Sequence, residues 1–445
     1  MKWVAGGSDS TSLATTRPEL SNIVFVAPFY APFVGGTRSF VEATGRRMVE
    51  DGHSVTVLTT VAQETADLWR RPDPSGPRLP ARETLDRMRI ERMPLGYPWP
   101  VPYSFGLLRR ASHMVHHTGL PHRIQRVLLT ALARWMPPLP GRDDAIARLV
   151  READLVQAVD ASWDGLFTAA ASAAIRHGKP LAAMPLMHVG AKDVASRFQM
   201  VHQVDAYRAS DAIVALSHLE AKAYAEFGIP SDRIHVVRMG VDPEWEEECQ
   251  DPTGFRQRHG ITGPLVAFVG AHTYDKGVFT LTEAVVRLNQ DNVSVQLACA
   301  GPQSEQLRRF VEKQPPGVRA ILDDQMRLLG TVSEPVKHQL LGACDVLALP
   351  SRVDAFGIVL AEAGLHGKPV IGADAGGIPE VVAEGVSGLL VPFGDVRALS
   401  DAIRTLITSP ELAAQLGEAG RRRVLGRYTW EQAHRSLVEI YASIL

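Results

Sequence analysis

The sequence predicts an α/β protein made of two Rossmann-like, doubly wound domains that face a cleft. Three observations carry this reading. Short apolar runs such as Asn22-Ile-Val-Phe-Val-Ala27 and Pro264-Leu-Val-Ala-Phe-Val269 have the continuous hydrophobicity of parallel strands buried on both faces. Each of these two runs leads into a loop that carries glycine before a helical segment, Gly35-Gly36-Thr37 in the first half and Gly270 to Gly277 in the second. The chain has 445 residues, enough for two such domains with sizeable cores.

The elements follow in order. Residues 1–20 are small and polar and are expected to form a flexible tail. The first domain, 21–243, opens with the strand at 22–27, a loop, a helix from about Arg38 to Asp51, and a strand at Ser54–Thr59. Further strands are expected at Leu155–Val159, Pro180–Pro185 and Ala212–Leu216. The acidic stretch from Asp242 to Asp251 reads as a solvated connection, with the linker placed at 244–262. The second domain, 263–427, repeats the plan with strands near Ser294–Ala300, Ala320–Leu329, Asp345–Leu349 and Pro369–Ile371. A last segment, 428–445, is an amphipathic helix with Ala433, Leu437, Ile440 and Tyr441 on one side. In an open α/β sheet a ligand belongs at the carboxyl ends of the strands, here in the cleft between the halves.

Composition excludes several classes. The net charge of −2 gives no global reason to bind nucleic acid. Cys249, Cys299 and Cys344 have no metal or disulfide-motif spacing and suit reduced thiols in a cytoplasmic protein. The N-terminal apolar run is too short for a signal peptide, and no apolar stretch is long enough to span a bilayer.

The densest chemistry lies in Ser351-Arg-Val-Asp354-Ala-Phe356-Gly357-Ile358-Val359-Leu-Ala-Glu362-Ala. A buried strand ends here and a helix begins near Gly357, so the unpaired amides and positive end of that helix form an anion site. Five residues of helix separate Gly357 from Glu362, about 7–8 Å, which is roughly the span of a diphosphate. One carboxylate is then placed for sugar hydroxyls and the other for those of a ribose. Lys276 is either a solvated surface lysine or a cation for phosphate, and His188, at the end of an apolar strand, is either a structural histidine or a cleft residue. Gly35-Gly36 permits close backbone approach, yet the loop lacks the Gly-x-Gly-x-x-Gly pattern of nicotinamide enzymes.

These motifs resemble those of retaining glycosyltransferases of family 4, which have the GT-B fold. The likeness rests on Ser351 to Ala363, Gly367-Lys-Pro-Val-Ile371, Ala375-Gly-Gly-Ile-Pro-Glu-Val-Val382, Gly388-Leu-Leu-Val-Pro392, Lys276-Gly277 and the Gly35-Gly36 loop, and covers roughly residues 22–60 and 180–445. It implies that the last helix crosses back to the N-terminal domain. It also implies transfer of a sugar from a nucleoside diphosphate sugar to a hydroxyl acceptor with retained configuration, the leaving phosphate oxygen serving as base. Lys276, Asp354 and His188 would be the catalytic residues. Gly35, Gly36, His272, Val332, Phe356, Gly357, Ile358, Val359 and Glu362 would bind the donor, the loop at Val332 meeting the nucleobase. Arg238 and Ser217 are weaker candidates for the cleft wall. The chain departs from the family at two places: Asp354 stands for Glu, and Ala271 for the Arg that helps neutralise the diphosphate, a charge that His272 or a distant arginine would have to supply. The absence of an Asp-x-Asp triplet, a common metal ligand of other glycosyltransferases, suits metal-independent catalysis with no cofactor beyond the nucleotide sugar. The same features leave two rivals, another GT-B enzyme such as an epimerase or phosphorylase, and a catalytically weak homologue that binds nucleotide sugar.

The segment from Arg92 to Arg142 stands apart. It holds seven arginines and four histidines, and no Asp, Glu or Lys, interleaved with apolar residues and with proline stops at Pro121 and Pro137. The pattern fits basic amphipathic helices. Two readings stand side by side: a surface for an anionic lipid-linked glycan acceptor or for headgroups at the inner face of a membrane, and helices packed on the domain with arginines in water.

Overall fold

A computed structural model describes residues 22–71, 78–97, 103–248 and 251–445. The expected tail at 1–20, the proline-rich stretch at 98–102 and Cys249 lie outside the described residues.

Two sheets organise the chain. The first has eight strands, β1 (Asn22–Val26), β2 (Ser54–Thr60), β3 (Arg82–Leu85), β4 (Met88–Met93), β5 (Leu155–Val159), β6 (Leu181–Met184), β7 (Ala212–Ala215) and β8 (Ile234–Val236), in the order β3-β4-β2-β1-β5-β6-β7-β8. All neighbours are parallel except the edge hairpin β3–β4. The second has six, β9 (Leu265–Val269), β10 (Gln296–Ala300), β11 (Met326–Gly330), β12 (Val346–Leu349), β13 (Val370–Ala373) and β14 (Leu389–Val391), all parallel in the order β11-β10-β9-β12-β13-β14. Burial on both faces explains the continuous apolar runs. In β1, Ile23 and Phe25 join one core while Val24 and Val26 join the other.

In both sheets the chain builds outward from its first strand, then returns to that strand's other side. The reversal falls between β1 and β5 in the first sheet and between β9 and β12 in the second. Loops after these four strands therefore diverge over a crevice, the usual ligand site of such sheets.

Several expectations are corrected. The hairpin β3–β4 was missed because its residues are charged. Arg92 does not open a basic insert: it lies in β4 with a buried side chain, ion-paired to Glu83 and donating to the Ala31 carbonyl at 2.7 Å. Arg142 is likewise buried beside Asp143. Between them stand two helices, α2 (Tyr103–His117) and α3 (His122–Ala133). The expected strand at Ala320–Leu329 is a helix, Pro316–Gln325, followed by β11, because Pro316 at the first helical turn starts a helix rather than a strand. Two residues of the acidic run expected to be solvated at 242–251 are instead paired across the fold. Asp242 binds Arg47 at 2.5 Å, Glu246 binds Arg421 at 2.6 Å, and Trp245 stacks flat on His338. Within the expected linker at 244–262, the helix Pro252–Arg258 packs on the second domain, burying Phe255 completely and pairing Arg256 with Asp345 at 2.6 Å.

The C-terminal helix, Trp430–Ile444, lies on the first domain against α1 (Gly36–Glu50). His434 bonds Asp51 and the Tyr441 hydroxyl donates to Gln157, both at 2.8 Å. Its N-terminus is fixed by a reciprocal cap between Thr429 and Gln432. The two strands of chain that pass between domains run side by side, joined by Val241 N to Tyr428 O at 2.8 Å and Trp430 N to Val241 O at 3.3 Å.

Candidate active site

The second domain supplies a cation and a carboxylate at its strand reversal. After β9 a short turn, Tyr274–Lys276, presents Lys276, and after β12 the 351–357 loop presents Asp354. The two loops are stitched together: Arg352 N and the Ser351 hydroxyl both donate to the Asp275 carbonyl, at 3.0 and 3.2 Å. Lys276 Nζ then donates to Asp354 Oδ1 at 2.7 Å. Burial pushes the Asp354 carboxyl up, but the Lys276 ammonium, helped by Ser351 and His188, outweighs it and holds the group below the usual carboxylate range. The second oxygen, Oδ2, is buried with no hydrogen-bond partner and is an acceptor waiting for a donor.

The loop after β13 props this carboxylate from behind. Gly377 N donates to the Asp354 carbonyl at 2.9 Å, and a Cβ on Gly377 would come 1.9 Å from the Ala355 carbonyl oxygen. Only glycine fits there, which accounts for the Gly-Gly of the 375–382 motif. The helix Ile358–Leu365 starts at Gly357, whose φ of 81° is left-handed. Ile358 and Val359 put their side chains into the core, so only their backbone amides can serve an anion. Phe356, expected to contact the donor, packs its buried ring edge-on against Tyr428 at 5.5 Å and anchors the loop instead.

One turn into that helix, Glu362 accepts from Lys337 Nζ at 2.7 Å, and Lys337 also pairs with Glu334 at 2.5 Å. Lys337 was missed in the sequence; it sits in no glycine motif, and only the fold brings it to Glu362. Burial pushes the Lys337 ammonium down, and Glu362 and Glu334 together push it further up, so it stays charged. Ligand atoms of Glu334, His338 and Glu362 gather within 4.8 Å, but the Lys337 ammonium already bridges the two carboxylates. Val332, half-buried against the core, follows β11 just before the helix Glu334–Ala343 that carries Lys337.

His272 cannot replace the missing arginine. It is completely buried, neither ring nitrogen has a partner, and burial pushes its pKa down to about 4, so it is neutral at pH 7. Arg352, the nearby arginine, is taken by Asp275 at 2.8 Å and by Asp193 of the first domain at 3.2 Å.

The first domain faces this pair with groups from its own strand reversal. Gly35 and Gly36 begin α1 after β1, and Thr37 donates to Asp160 Oδ2 at 3.1 Å across the crevice from the end of β5. Asp160 was not singled out by sequence, although an aspartate directly after a buried parallel strand is a usable signal. His188 follows β6 on a turn in which Leu186 has φ 58°. The turn is held by Glu220, whose buried carboxylate accepts from Met187 N, Leu216 N and the Tyr224 hydroxyl, each at 2.7 Å. Burial, then the Lys276 charge, lowers the His188 pKa against the pull of Asp354 and Asp160. His188, Lys276 and Asp354 are therefore brought together from both domains. Ser217 and Arg238 go elsewhere: Ser217 caps the helix His218–Glu226, and Arg238 bonds His218 at 3.1 Å and approaches Glu380 of the second domain.

Behind His188, a cavity of about 550 Å³ opens in the first domain, lined among others by Phe105, Arg109, Trp163, Asp164 and Arg197.

Comparison with known proteins agrees with this architecture. Residues 34–245 match the model of glycosyltransferase family 4, and residues 253–423 that of glycosyl transferases group 1. An alpha-maltose-1-phosphate synthase of Mycolicibacterium smegmatis is 30% identical over 278 residues, 58% of this chain and 70% of that protein. A D-inositol 3-phosphate glycosyltransferase of Xylanimonas cellulosilytica is 32% identical over 246 residues, 53% of this chain and 57% of that protein. Among solved structures, Anabaena HepE in complex with UDP-glucose superimposes with a TM-score of 0.68 at 18% identity, over 95% of this chain and 99% of that one. The sucrose-phosphate synthase of Thermosynechococcus elongatus gives 0.67 at 19% identity, over 95% and 98%.

Proposed function

The chain belongs to the family 4 glycosyltransferases with the GT-B fold, and from that premise we propose that it transfers a sugar from a nucleoside diphosphate sugar to an acceptor hydroxyl with retention of configuration. The observation that supports this best is the meeting of Lys276, Asp354 and His188 at the mouth of the helix Ile358–Leu365. In this reading the diphosphate lies on the amides that follow Gly357 and draws Lys276 toward it. Asp354 Oδ2, the acceptor without a partner, takes a donor-sugar hydroxyl. Glu362, held in place by Lys337, takes the ribose hydroxyls. The positive charge comes from Lys276 and the helix terminus, so the reading needs no metal and no cofactor besides the nucleotide sugar. His188, kept below its usual pKa and so neutral at pH 7, approaches the reacting sugar from the acceptor side.

The acceptor is proposed to be presented at the inner face of a membrane. Leu107, Met114, Ile124, Val127, Leu128 and Trp135 on and beside α2 and α3 are exposed, and Arg110, Arg123 and Arg134 among them make no ion pair within the described residues. Apolar side chains ringed by free arginines suit a headgroup layer. No helix among the described residues is long and apolar enough to cross a membrane.

The test is incubation with a panel of nucleoside diphosphate sugars and hydroxyl acceptors, with product mass and anomeric configuration read by mass spectrometry and NMR. A new glycoside of the donor's own configuration is the expected product. An inverted product refutes retention, donor turnover without a glycoside points to an epimerase, and tight donor binding without turnover points to a binding protein, which the occupied Lys276 and the missing arginine at Ala271 would favour.

A further inference from the structure

The cavity behind His188 has a chemistry that donor binding does not use. Its floor is aromatic: Phe105 and Trp163 line it, their centroids 5.5 Å apart, and Trp69 stacks on both at 5.4 and 5.6 Å. Its wall is cationic. Arg109, Arg110 and Arg197 line it, and none makes an ion pair among the described residues. Asp164 alone supplies a carboxylate to the lining, and it is committed to His202 at 2.8 Å. Arg109 and Arg197, from different segments of the first domain, line the cavity with their side chains reaching solvent; desolvation, then the neighbouring charge of Arg197, lowers the Arg109 pKa, while Asp164 raises it. Two like charges held over an aromatic floor are a site in need of an anion.

We infer that this cavity is the acceptor site and takes an acceptor bearing a phosphate group, the phosphate lying between Arg109 and Arg197, the acceptor ring on Phe105 and Trp163, and the nucleophilic hydroxyl directed to His188. This rests on the transferase reading for the word acceptor, but the phosphate site stands on the cavity itself. Phosphate is favoured over carboxylate because three cations outnumber one committed anion, a balance that a dianion answers best. The volume of about 550 Å³ falls within the range of small-ligand sites and admits a sugar phosphate. His188 lines both this cavity and the cleft that holds Lys276 and Asp354, so a hydroxyl at the cavity's inner end meets the donor sugar.

The experiment is a calorimetric titration of the full chain with a matched pair, a hexose and its phosphate monoester, and with phosphatidylinositol in phosphatidylcholine vesicles, repeated on the double variant Arg109→Gln/Arg197→Gln. Thermal unfolding checks that the variant is folded, and the single variants replace it if it is not. The phosphate ester should bind about 30-fold or more tightly than the hexose, and the variant should lose most of that difference, as expected for charge-assisted bonds. Binding of the soluble ester, or of the inositol lipid over plain phosphatidylcholine, with loss in the variant, supports the inference and tells a free from a lipid-borne phosphate. Equal binding of ester and hexose, or an unchanged preference in the variant, overturns it. A separate titration with UDP-glucose, followed by turnover, judges the transferase reading: phosphate binding without donor turnover leaves the anion site and removes the enzyme, and donor turnover without phosphate preference does the reverse.

Discussion

Lys276 Nζ and Asp354 Oδ1 lie 2.7 Å apart, each on the loop that follows one of the two strands flanking the reversal of the second sheet. The pair is a charged latch across the place where a diphosphate would sit. Asp is one methylene shorter than the Glu common in the family, about 1.5 Å less reach, and the short arm keeps the carboxylate against the lysine. On the proposed reading, a diphosphate would exchange one partner of Lys276 for another rather than engage a free cation.

Replacing Asp354 should impair transfer without weakening the nucleotide. Asp354→Ala is expected to lower kcat/KM for transfer about 100-fold, while the free nucleoside diphosphate binds at least as tightly as before, since the latch no longer competes for Lys276. Asp354→Glu should change the preferred donor sugar more than nucleoside diphosphate affinity. Steady-state kinetics with calorimetry of the nucleoside diphosphate measures both. Equal losses of nucleoside diphosphate and nucleotide-sugar affinity would show that Asp354 serves the nucleotide.

Glu362 and Lys337 predict the opposite split. Glu362→Gln should weaken the nucleoside diphosphate about tenfold through lost charge-assisted bonds to the ribose. Lys337→Met leaves a largely buried carboxylate unpaired and should destabilise the second domain by about 3 kcal/mol. Denaturant titration and nucleoside diphosphate binding on each variant check this; a fully stable Lys337→Met would mean the pair is not what holds Glu362.

The pH dependence centres on Glu220. Burial raises its pKa to about 7, against the lowering effect of the hydrogen bonds from Leu216, Tyr224 and Met187. An unfolded glutamate titrates near 4.3, so between about pH 4.5 and 7 the folded protein holds a proton that the unfolded chain has released. The stability from this group is full below pH 4.5, falls as pH rises through the folded pKa, and is level above it. Glu220→Gln should flatten that slope in unfolding free energy. Because Glu220 also fixes the turn before His188, the same variant should slow transfer more than it weakens donor binding. A slope unchanged in the variant would assign the proton to another group.

The α2–α3 face predicts binding to anionic vesicles. Sedimentation with phosphatidylglycerol vesicles at low salt should retain the protein, high salt should release it, and Leu107→Ser/Val127→Ser/Arg123→Ser should reduce retention about tenfold or more. Failure of the wild type to sediment at low salt would leave the face as an ordinary wet surface.

Much of this architecture was legible because buried parallel strands write themselves as apolar runs, and because close backbone contacts, as at Gly377 and Gly357, restrict residue choice locally. What was illegible depended on distance. The hairpin β3–β4 alternates charge with apolar residues at a sheet edge and satisfies itself only in three dimensions, with Glu91 near Arg82, Arg89 and Arg148. Asp242 and Glu246 looked solvated because their partners, Arg47 and Arg421, are 195 and 175 positions away. Lys337 reaches Glu362 by the fold alone. His272 misled for the converse reason: its neighbours in sequence suggest phosphate, and its burial makes it neutral.

The contacts between the domains are of two unlike kinds. Along one side, Val241 and Trp430 share backbone bonds, and the C-terminal helix is anchored by Tyr441 and His434. Along the other, Arg352 is held by the exposed Asp193, and Glu380 reaches the Leu219 amide at 3.1 Å. The molecule is thus bound like a book, with a dry spine and a fore-edge fastened by clasps that water and salt can undo, and the page it opens to is the one on which Lys276, Asp354 and His188 are written.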